Sequence, residues 1–164
     1  MKQLLIIRHA KSDWSNPMLL DFERTLNDRG NMDAPMMAKR IKDKKIVIDQ
    51  FVSSTATRAL TTAIFFAKAF DKKEKDILKI DELYHASPKT FYSTIEELND
   101  EFDSVAIFSH NPGITDFVNS LTKTKIDNLP TCGVFAVKID MNNWSLFSTA
   151  KKEFWFFDYP KSIL

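Results

Sequence analysis

Runs of uninterrupted apolar residues alternate along the chain with segments whose apolar side chains recur at helical spacing. Residues 4–7 are four aliphatic residues in succession, which is typical of a strand buried on both faces of a sheet. Residues 56–70 instead carry apolar side chains three and four positions apart, as on one side of a helix. Strands and helices that alternate in this way predict a mainly parallel sheet with helices on both faces.

The same patterns predict an element for most of the chain. Ser87 and Pro88 mark a helix start, because a serine side chain caps the first turn and proline fits the first helical position. Pro35 predicts that another helix starts near Asn31 or is kinked. The predicted helices are 28–45, 56–70, 87–98 and 112–121. The predicted strands are 3–8, 46–53, 77–83, 104–109, 133–140 and 144–150. The last two strands are expected to be antiparallel, with an aromatic tail after them.

Length and composition limit the class of protein. The 164 residues suit one domain spanning 1–164, and a net charge of +1 gives no basis for a nucleic-acid or anionic-membrane partner. A single cysteine, Cys132, excludes an internal disulfide and a cysteine-based metal site. No apolar run is long enough to cross a bilayer, and the segment before Arg8 is too short for a signal peptide. We therefore expect a cytoplasmic protein.

Three predicted strand ends carry histidine or arginine. Arg8 and His9 end the first strand, Arg58 lies in the first turn of the helix after the second, and His110 follows the strand 104–109. Ligands of open parallel sheets bind outside the carboxyl ends of the strands, so these four side chains should converge. Guanidinium groups match phosphate oxygens in bidentate fashion. Any one of the four alone is more often structural, but together they predict a site for a dense anion.

Several motifs resemble those of a known family. "RHAKSDW" resembles the RHG/RHA signature of the histidine phosphatase superfamily, with Ala10 in place of the commoner glycine. "SSTATRALTTA" is similar to its S-x-x-x-R-A-x-x-T-A segment, and "SHNPG" to its second histidine motif. With "RTLNDRG", "ELYHAS" and "LPTCG", residues 3–140 resemble the SixA-type phosphohistidine phosphatases more narrowly.

The resemblance implies a fold. It is the phosphoglycerate mutase-like fold, a three-layer α/β/α sandwich around a mainly parallel central sheet. Mutase-type relatives carry a helical insertion that roofs the pocket, between the second helix and the strand before the second histidine motif. Here only residues 71–103 occupy that interval. We therefore expect a minimal form without a large helical lid, and an open site.

The resemblance also implies a mechanism. His9 would attack phosphorus and form a phosphohistidine intermediate that water then hydrolyses, which requires its other ring nitrogen to face an acceptor such as a backbone carbonyl. The residues expected to bind the phosphoryl oxygens are Arg8, Arg58, His110, Ser12 and Asn111. No metal or other cofactor is expected, because the arginines and a protonated His110 would supply the positive charge.

The general acid is left open between three carboxylates. Glu82 precedes the segment in which mutase-type relatives carry their acid, and Asp21 and Asp81 are the alternatives; an exposed carboxylate with no catalytic role is an equal explanation for Glu82. A phosphoramidate substrate lowers the requirement, because imidazole is a better leaving group than an alkoxide. Arg24 is expected to be a loop residue paired with a nearby carboxylate.

The expected function is therefore that of a metal-independent phosphatase acting on phosphohistidine in a partner protein, since an open pocket suits a protein side chain. Two alternatives are a small-molecule phosphomonoesterase of the same superfamily and a non-catalytic module that binds phosphoproteins. The presence of His9 argues against the second, because binding alone needs no nucleophile. We expect a monomer or a weak dimer.

Overall fold

One sheet of six strands forms the centre of the computed structural model, which describes residues 1–162. The strands are β1 (Lys2–Arg8), β2 (Gln50–Ser53), β3 (Ile77–Lys79), β4 (Ser104–Ser109), β5 (Val134–Ile139) and β6 (Lys152–Asp158). Their order is β3-β2-β4-β1-β5-β6. The first four in this order are parallel, β5 is antiparallel to β1, and β6 is antiparallel to β5. The predicted mainly parallel sheet is confirmed.

Helices cover both faces of this sheet. They are α1 (Asp28–Asp43), α2 (Thr57–Ala69), α3 (Pro88–Glu96) and α4 (Gly113–Asn119). Buried side chains of α1 and α2 share one apolar cluster with the sheet, and those of α3 and α4 share a second cluster on the opposite face. The predicted three-layer α/β/α sandwich is therefore present; the last two residues of the predicted domain, 163 and 164, lie outside the described residues.

The position of β1 between the two helical layers explains why residues 4–7 are all apolar. Leu4 and Ile6 belong to the cluster beneath α3 and α4, whereas Leu5 and Ile7 belong to the cluster beneath α1 and α2. Side chains alternate across a strand, so a strand between two helical layers needs apolar residues at every position. Burying each such side chain contributes about 1.5–3 kcal/mol, which fixes β1 in the middle of the molecule.

Several element boundaries differ from the expected ones. The helix α1 begins at Asp28, as predicted, continues through Pro35 and ends at Asp43 rather than at 45. The Asn27 side chain accepts a hydrogen bond from the Gly30 N–H and caps this start, so the alternative start near Asn31 is wrong. Strand β2 is four residues long and begins at Gln50 rather than at 46. The predicted strand 77–83 divides into β3 and a 3₁₀ turn at Asp81–Leu83. Capping of α3 by Ser87 is confirmed.

The predicted strand at 144–150 is wrong. Trp144–Leu146 form a 3₁₀ turn instead, and the last strand is β6, which contains most of the aromatic tail. Trp144 is fully buried, its backbone N–H donates to the Asp100 carboxylate, and its indole N–H donates to the Phe102 carbonyl oxygen. The apolar residues of this segment therefore anchor a turn against the core, and the aromatic residues of β6 pair with β5.

The fold has no helical roof. Between α2 and β4 the chain forms β3, two 3₁₀ turns and α3, with no large insertion. This confirms the minimal architecture expected from the length of the interval. No helix within residues 1–162 combines the length and apolar character needed to cross a membrane.

Gly30 allows α1 to pack against the segment after β1. A Cβ atom built at Gly30 would overlap the backbone carbonyl of Lys11. Because a backbone group cannot turn aside as a flexible side chain can, we expect Gly30→Ala to lower the free energy of unfolding by about 1–3 kcal/mol. Urea denaturation measures this change.

Asn31→Ala provides the matched control, since Asn31 is the next residue of the same helix and is exposed. Its free energy of unfolding should lie within about 0.5 kcal/mol of the wild-type value. A Gly30→Ala protein that unfolds at the wild-type urea concentration would contradict the close approach described here.

Candidate active site

Three parallel strands end side by side. Strand β4 lies between β1 and β2, Arg8 is in register with Ser109, and Ser53 is in register with Phe108. The residues just beyond these strands therefore meet at one edge of the sheet. There the rings of His9 and His110 lie 5.1 Å apart between centroids.

The first turn of α2 brings Arg58 to the same edge. Arg58 is buried, and its charge is close enough to lower the pKa values of Arg8, His9 and His110. The Thr62 hydroxyl donates to the Arg58 carbonyl (2.8 Å) and accepts from the Ala10 N–H (3.0 Å), so it ties α2 to the segment after His9. The four residues of the predicted anion site are thus brought together.

Backbone contacts orient the His9 ring. Its Nδ1 lies 2.7 Å from the carbonyl oxygen of Ala10, so Nδ1 carries the proton and donates it. This is the backbone acceptor expected from the sequence. The pKa of His9 is lowered to about 3, mainly by burial and also by the positive charges of Arg58, Arg8 and Arg24, whereas the Ala10 hydrogen bond opposes the shift. His9 is therefore neutral at pH 7, with Nε2 available as a nucleophile.

His110 is also neutral in the free protein. Burial is the main cause that lowers its pKa, followed by the proximity of His9 and Arg58. Its Nε2 lies 2.7 Å from the Ser54 hydroxyl oxygen. The expectation that a protonated His110 supplies positive charge is wrong for the free site, because desolvation and neighbouring cations oppose protonation. An anion held against the ring would favour the protonated form.

Nitrogen atoms of the same residues lack hydrogen-bond partners. Within residues 1–162, four buried side-chain nitrogen or oxygen atoms have none, and three of them are Nε of Arg8, Nε of Arg58 and Nδ1 of His110. Buried polar groups almost always have a hydrogen-bond partner, because burying one without a partner costs about 1–3 kcal/mol of stability. Three of the four therefore belong to residues of the predicted anion site, and the hydrogen-bonding capacity of these three nitrogens is not used within the described residues.

Of the three candidate acids, Asp21 is the one that contacts these arginines. Its carboxylate accepts from Arg58 Nη2 (3.0 Å), from Arg24 Nε (3.0 Å) and from the Tyr84 hydroxyl. The Tyr84 hydrogen bond holds the pKa of Asp21 well below its usual range, with further lowering by Arg24 and Arg58. Asp21 is therefore ionised at neutral pH and serves as an anion that aligns two guanidinium groups.

The other two candidate acids lie elsewhere. Glu82 is exposed and lines a groove together with Leu78 and Lys89, apart from the two histidines. Asp81 is exposed and accepts a hydrogen bond from the Thr55 hydroxyl at 2.6 Å. Neither carboxylate is bonded to an arginine of the site among the described residues.

Arg24 and Ser12 form a pair beside the site. Arg24 does pair with Asp21, as expected of a loop residue, but it is buried, and its Nη1 donates to the Ser12 hydroxyl oxygen. Its guanidinium group also lies 3.4 Å from the ring centroid of Trp14. Sequence reasoning missed Arg24 as part of the cluster, because arginine and carboxylate side by side in a loop are usually an exposed pair.

Asn111, expected to contact phosphate, instead holds the loop beneath Arg8. Its amide nitrogen donates to the Asn128 side chain (2.6 Å), and its amide oxygen accepts from the Thr115 hydroxyl. The carbonyl of Leu129 in the same loop accepts from Arg8 Nη1 at 3.1 Å. The side-chain polar atoms of Asn111 are thus used within the protein.

The charge of the cluster suits a phosphoryl group. Arg8, Arg24 and Arg58 carry three positive charges, Asp21 carries one negative charge, and the two histidines are neutral, which leaves about two positive charges. A phosphoryl group carries about −1.5 to −2 near pH 7. No three His, Cys, Asp or Glu side chains among residues 1–162 are grouped so that they could share a metal ion.

The low pKa of His9 gives a testable pH dependence of stability. Its pKa is about 3 in the folded state, whereas the unfolded value is about 6.5, so between these values the unfolded chain binds more protons. Lowering the pH from 7 to 4.5 should therefore remove about 2–3 kcal/mol of the free energy of unfolding through His9 alone. Urea denaturation at the two pH values measures this loss.

His9→Asn should show a smaller loss than the wild type over this pH range, because asparagine does not titrate. Asn31→Ala is the control, since Asn31 is exposed and does not titrate, so the variant should keep the wild-type slope. Equal slopes for the wild type and His9→Asn would show that the His9 ring is not desolvated in the native protein.

Comparison with known proteins agrees with this geometry. The sequence model of the histidine phosphatase superfamily (branch 1) matches residues 4–86, half of the chain. A candidate phosphohistidine phosphatase, SixA from Agrobacterium tumefaciens, is 27% identical and superposes with a TM-score of 0.81 over 97% of this chain and 98% of its own.

Two further structures share the fold. The protein histidine phosphatase SixA complexed with tungstate is 20% identical, with a TM-score of 0.81 over 96% of this chain and 97% of its own. A mycobacterial glucosyl-3-phosphoglycerate phosphatase is 14% identical, with a TM-score of 0.73 over 99% of this chain and 100% of its own. The family match and the convergence of the strand-end residues lead to one conclusion: this chain belongs to the histidine phosphatase superfamily and is a hydrolase that acts on phosphoryl groups.

Proposed function

We propose that the protein is a phosphohistidine phosphatase that removes the phosphoryl group from a histidine of another protein. The observation that carries the proposal is the set of buried, unpartnered nitrogens on Arg8, Arg58 and His110 around a neutral His9. A phosphoryl group is the anion whose charge and oxygen number suit this set. The likeness at 27% identity to a candidate phosphohistidine phosphatase supports the same substrate class.

In the first step, His9 Nε2 attacks phosphorus in line with the substrate nitrogen. The new bond joins Nε2 to phosphorus as the bond from phosphorus to the substrate imidazole breaks. The Ala10 carbonyl, 2.7 Å from Nδ1, holds the ring tautomer and stabilises the positive charge that develops on the imidazole. Arg8, Arg58 and His110 donate to the phosphoryl oxygens, where charge is spread in the transition state.

In the second step, water attacks the phosphohistidine formed on His9 and releases inorganic phosphate. The His9 nitrogen leaves as part of a ring that is already protonated at Nδ1, so it departs as a neutral imidazole. The Ser12 hydroxyl accepts from Arg24 and keeps its own hydrogen available for a phosphoryl oxygen. The same arginines serve both steps because the phosphoryl group stays between them.

An ionised Asp21 is compatible with the proposed leaving group, because that group needs no proton from an acid. An alkoxide released from a phosphate ester needs a proton from an acid, and the hydrogen bonds to Tyr84, Arg24 and Arg58 keep Asp21 deprotonated at neutral pH. A phosphorylated imidazole that is protonated on its second nitrogen leaves as a neutral ring without such an acid. The state of Asp21 therefore favours a phosphorus–nitrogen bond over a phosphorus–oxygen bond as the one cleaved.

We propose further that the reaction uses no metal ion. The guanidinium groups of Arg8, Arg24 and Arg58 supply the positive charge that a divalent cation supplies in many phosphoryl-transfer sites. Activity should accordingly survive dialysis against a chelator.

Trapping the intermediate tests the proposal. Wild-type protein quenched during turnover of a radiolabelled phosphohistidine protein should carry an acid-labile, base-stable label, and His9→Ala should carry none. Arg58→Ala and His110→Ala should each lower the rate by about a hundredfold or more, because each removes a donor to the transition-state charge. Rapid-quench kinetics measure both effects.

Lys68→Ala is the matched control, because it removes an exposed cation on α2, ten residues after Arg58. Its rate should equal that of the wild type. A protein that binds the phosphoprotein but releases no phosphate would be a binding module. One that hydrolyses small phosphate esters and not phosphohistidine would be a phosphomonoesterase.

Replacing the carboxylates tests the choice of leaving group. Asp21→Asn keeps one hydrogen-bond acceptor beside Arg58 and cannot supply a proton, and Glu82→Gln alters an exposed residue of a separate groove. Both variants should keep kcat for phosphohistidine within about fivefold of the wild type, a change of about 1 kcal/mol in the barrier. A loss of about a hundredfold in Glu82→Gln would instead identify Glu82 as the general acid. The same loss in Asp21→Asn would identify Asp21 only if it disappears with p-nitrophenyl phosphate, whose leaving group needs no proton, because a misaligned Arg58 would slow the reaction of both substrates.

A further inference from the structure

The exposed apolar side chains of this protein are concentrated beside the active site. Eleven large hydrophobic residues are exposed in the described part of the chain. Five of them lie within residues 14–22, and these are Trp14, Met18, Leu19, Leu20 and Phe22. We call residues 14–22 the apolar loop. Met18 is the most exposed of all, at 88%. Scattered apolar side chains on a surface need no explanation, but a concentration marks an interaction site.

The base of the apolar loop is built into the site. Ser12 and Leu26 form an antiparallel bridge across the base, and the Asp13 N–H donates to the Thr25 carbonyl oxygen at 2.8 Å. His9 is three residues before Ser12. The loop therefore leaves and rejoins the molecule next to the nucleophile.

Residues at both ends of the apolar loop contact the arginines and aromatic rings of the site. Trp14 stacks on Arg24, and Asp21 bonds both Arg24 and Arg58. The Phe22 ring packs edge to face on Tyr84, at 5.0 Å between centroids, and Tyr84 in turn lies 5.5 Å from the His110 ring. The apolar loop thus forms one wall of the rim around the phosphoryl site.

Hydrogen bonds hold the loop in one shape. The Ser15 N–H donates to the Asp13 carboxylate (2.7 Å), and the Met18 N–H donates to the Asn16 side-chain oxygen (3.0 Å). The Leu19 N–H donates to the Asn16 carbonyl (3.3 Å). A loop ordered in advance binds a partner without a large loss of conformational entropy.

The charge distribution indicates what covers the loop. Residues 14–20 carry no charged side chain, whereas the adjoining site carries about two net positive charges. A complementary partner therefore presents a phosphoryl anion next to an uncharged, apolar surface. A free phosphorylated amino acid would reach the arginines and leave Met18 in water. A protein carries both features on one surface.

We infer that the apolar loop is the docking surface for the phosphoprotein substrate, and that it contacts the apolar side chains surrounding the phosphohistidine of that partner. This inference rests on the proposed function and adds to it the element that distinguishes a protein from a small phosphate. The arginines select the phosphoryl group, and the apolar loop selects its carrier.

Met18→Asp tests the inference with two substrates. The probes are histidine-phosphotransfer domains phosphorylated on histidine and free phosphohistidine. Met18 is exposed and lies outside the phosphoryl-binding cluster, so free phosphohistidine should be hydrolysed with kcat/KM within about twofold of the wild type. For the domains, kcat/KM should fall at least about tenfold, mainly through KM, because a carboxylate would be buried against an apolar surface.

Two variants serve as controls. Met18→Leu keeps an apolar side chain of similar size and should retain wild-type kcat/KM on both substrates. Val47→Asp places the same carboxylate at another exposed apolar residue, in a groove with Gln3 and Ser104 at the opposite end of the sheet. It should also leave both substrates unaffected.

Two results would overturn the docking inference alone: equal losses by Met18→Asp on both substrates, or no loss on the domains. Wild-type turnover of free phosphohistidine but of none of the domains would overturn the protein substrate of the proposed function together with the docking inference. Sedimentation that shows a wild-type dimer dissociated by Met18→Asp would assign the loop to a contact between two copies of this chain instead. Wild-type protein that hydrolyses neither substrate would overturn the proposed function and, with it, this inference.

Discussion

The repulsion between the half-buried guanidinium group of Arg8 and the buried one of Arg58 is the constraint on which the site depends. Arg8 and Arg58 lie close enough for the charge of Arg58, after burial itself, to lower the pKa of Arg8. Bringing like charges together away from water is unfavourable, so the rest of the fold must hold them in place. The Leu129 carbonyl and the Asp21 carboxylate each accept a hydrogen bond from one of the two groups, and the strands place their backbones. A phosphoryl group binds to a site whose unfavourable charge has already been offset by folding, which is how electrostatic catalysis is generally arranged.

Burial, together with the same positive charges, explains the neutral histidines. Burial is the main cause that lowers the pKa values of His9 and His110, and Arg58 lowers both of them further. The proposed attack of His9 on phosphorus requires this neutral state, because it needs a free electron pair on Nε2. Desolvation and the positive charge proposed to bind the substrate therefore act together to keep the proposed nucleophile deprotonated.

The sheet and the four central residues could be predicted from sequence because they depend on local patterns. Four aliphatic residues before Arg8 specify a strand between two helical layers, and a parallel strand delivers the residues after it to a known edge. The segment 144–150 was predicted to be a strand, but Trp144 lies in a buried turn. The spacing of apolar residues in so short a segment does not distinguish a strand from a buried turn. Arg24 and Asn111 were misjudged because their roles depend on long-range contacts. The partners of Arg24 come from both sides of a loop, and those of Asn111 come from a loop that passes beneath Arg8.

Asp21 connects the chemistry of the site to its surroundings. Its carboxylate is partly exposed and accepts a hydrogen bond from Arg58, and its carbonyl oxygen, in the backbone of the apolar loop, accepts a second one from the same guanidinium group. Displacing the loop would release Arg58 from both of these acceptors. A phosphoryl group bound to Arg58 would weaken the hold on the loop in return, because the phosphoryl group and the Asp21 carboxylate would share one guanidinium group. The link between Asp21 and Arg58 therefore couples the surface around the site to the strength with which the phosphoryl group is held. The surface proposed to contact the carrier protein and the cluster proposed to hold the phosphoryl group are therefore linked through this one carboxylate.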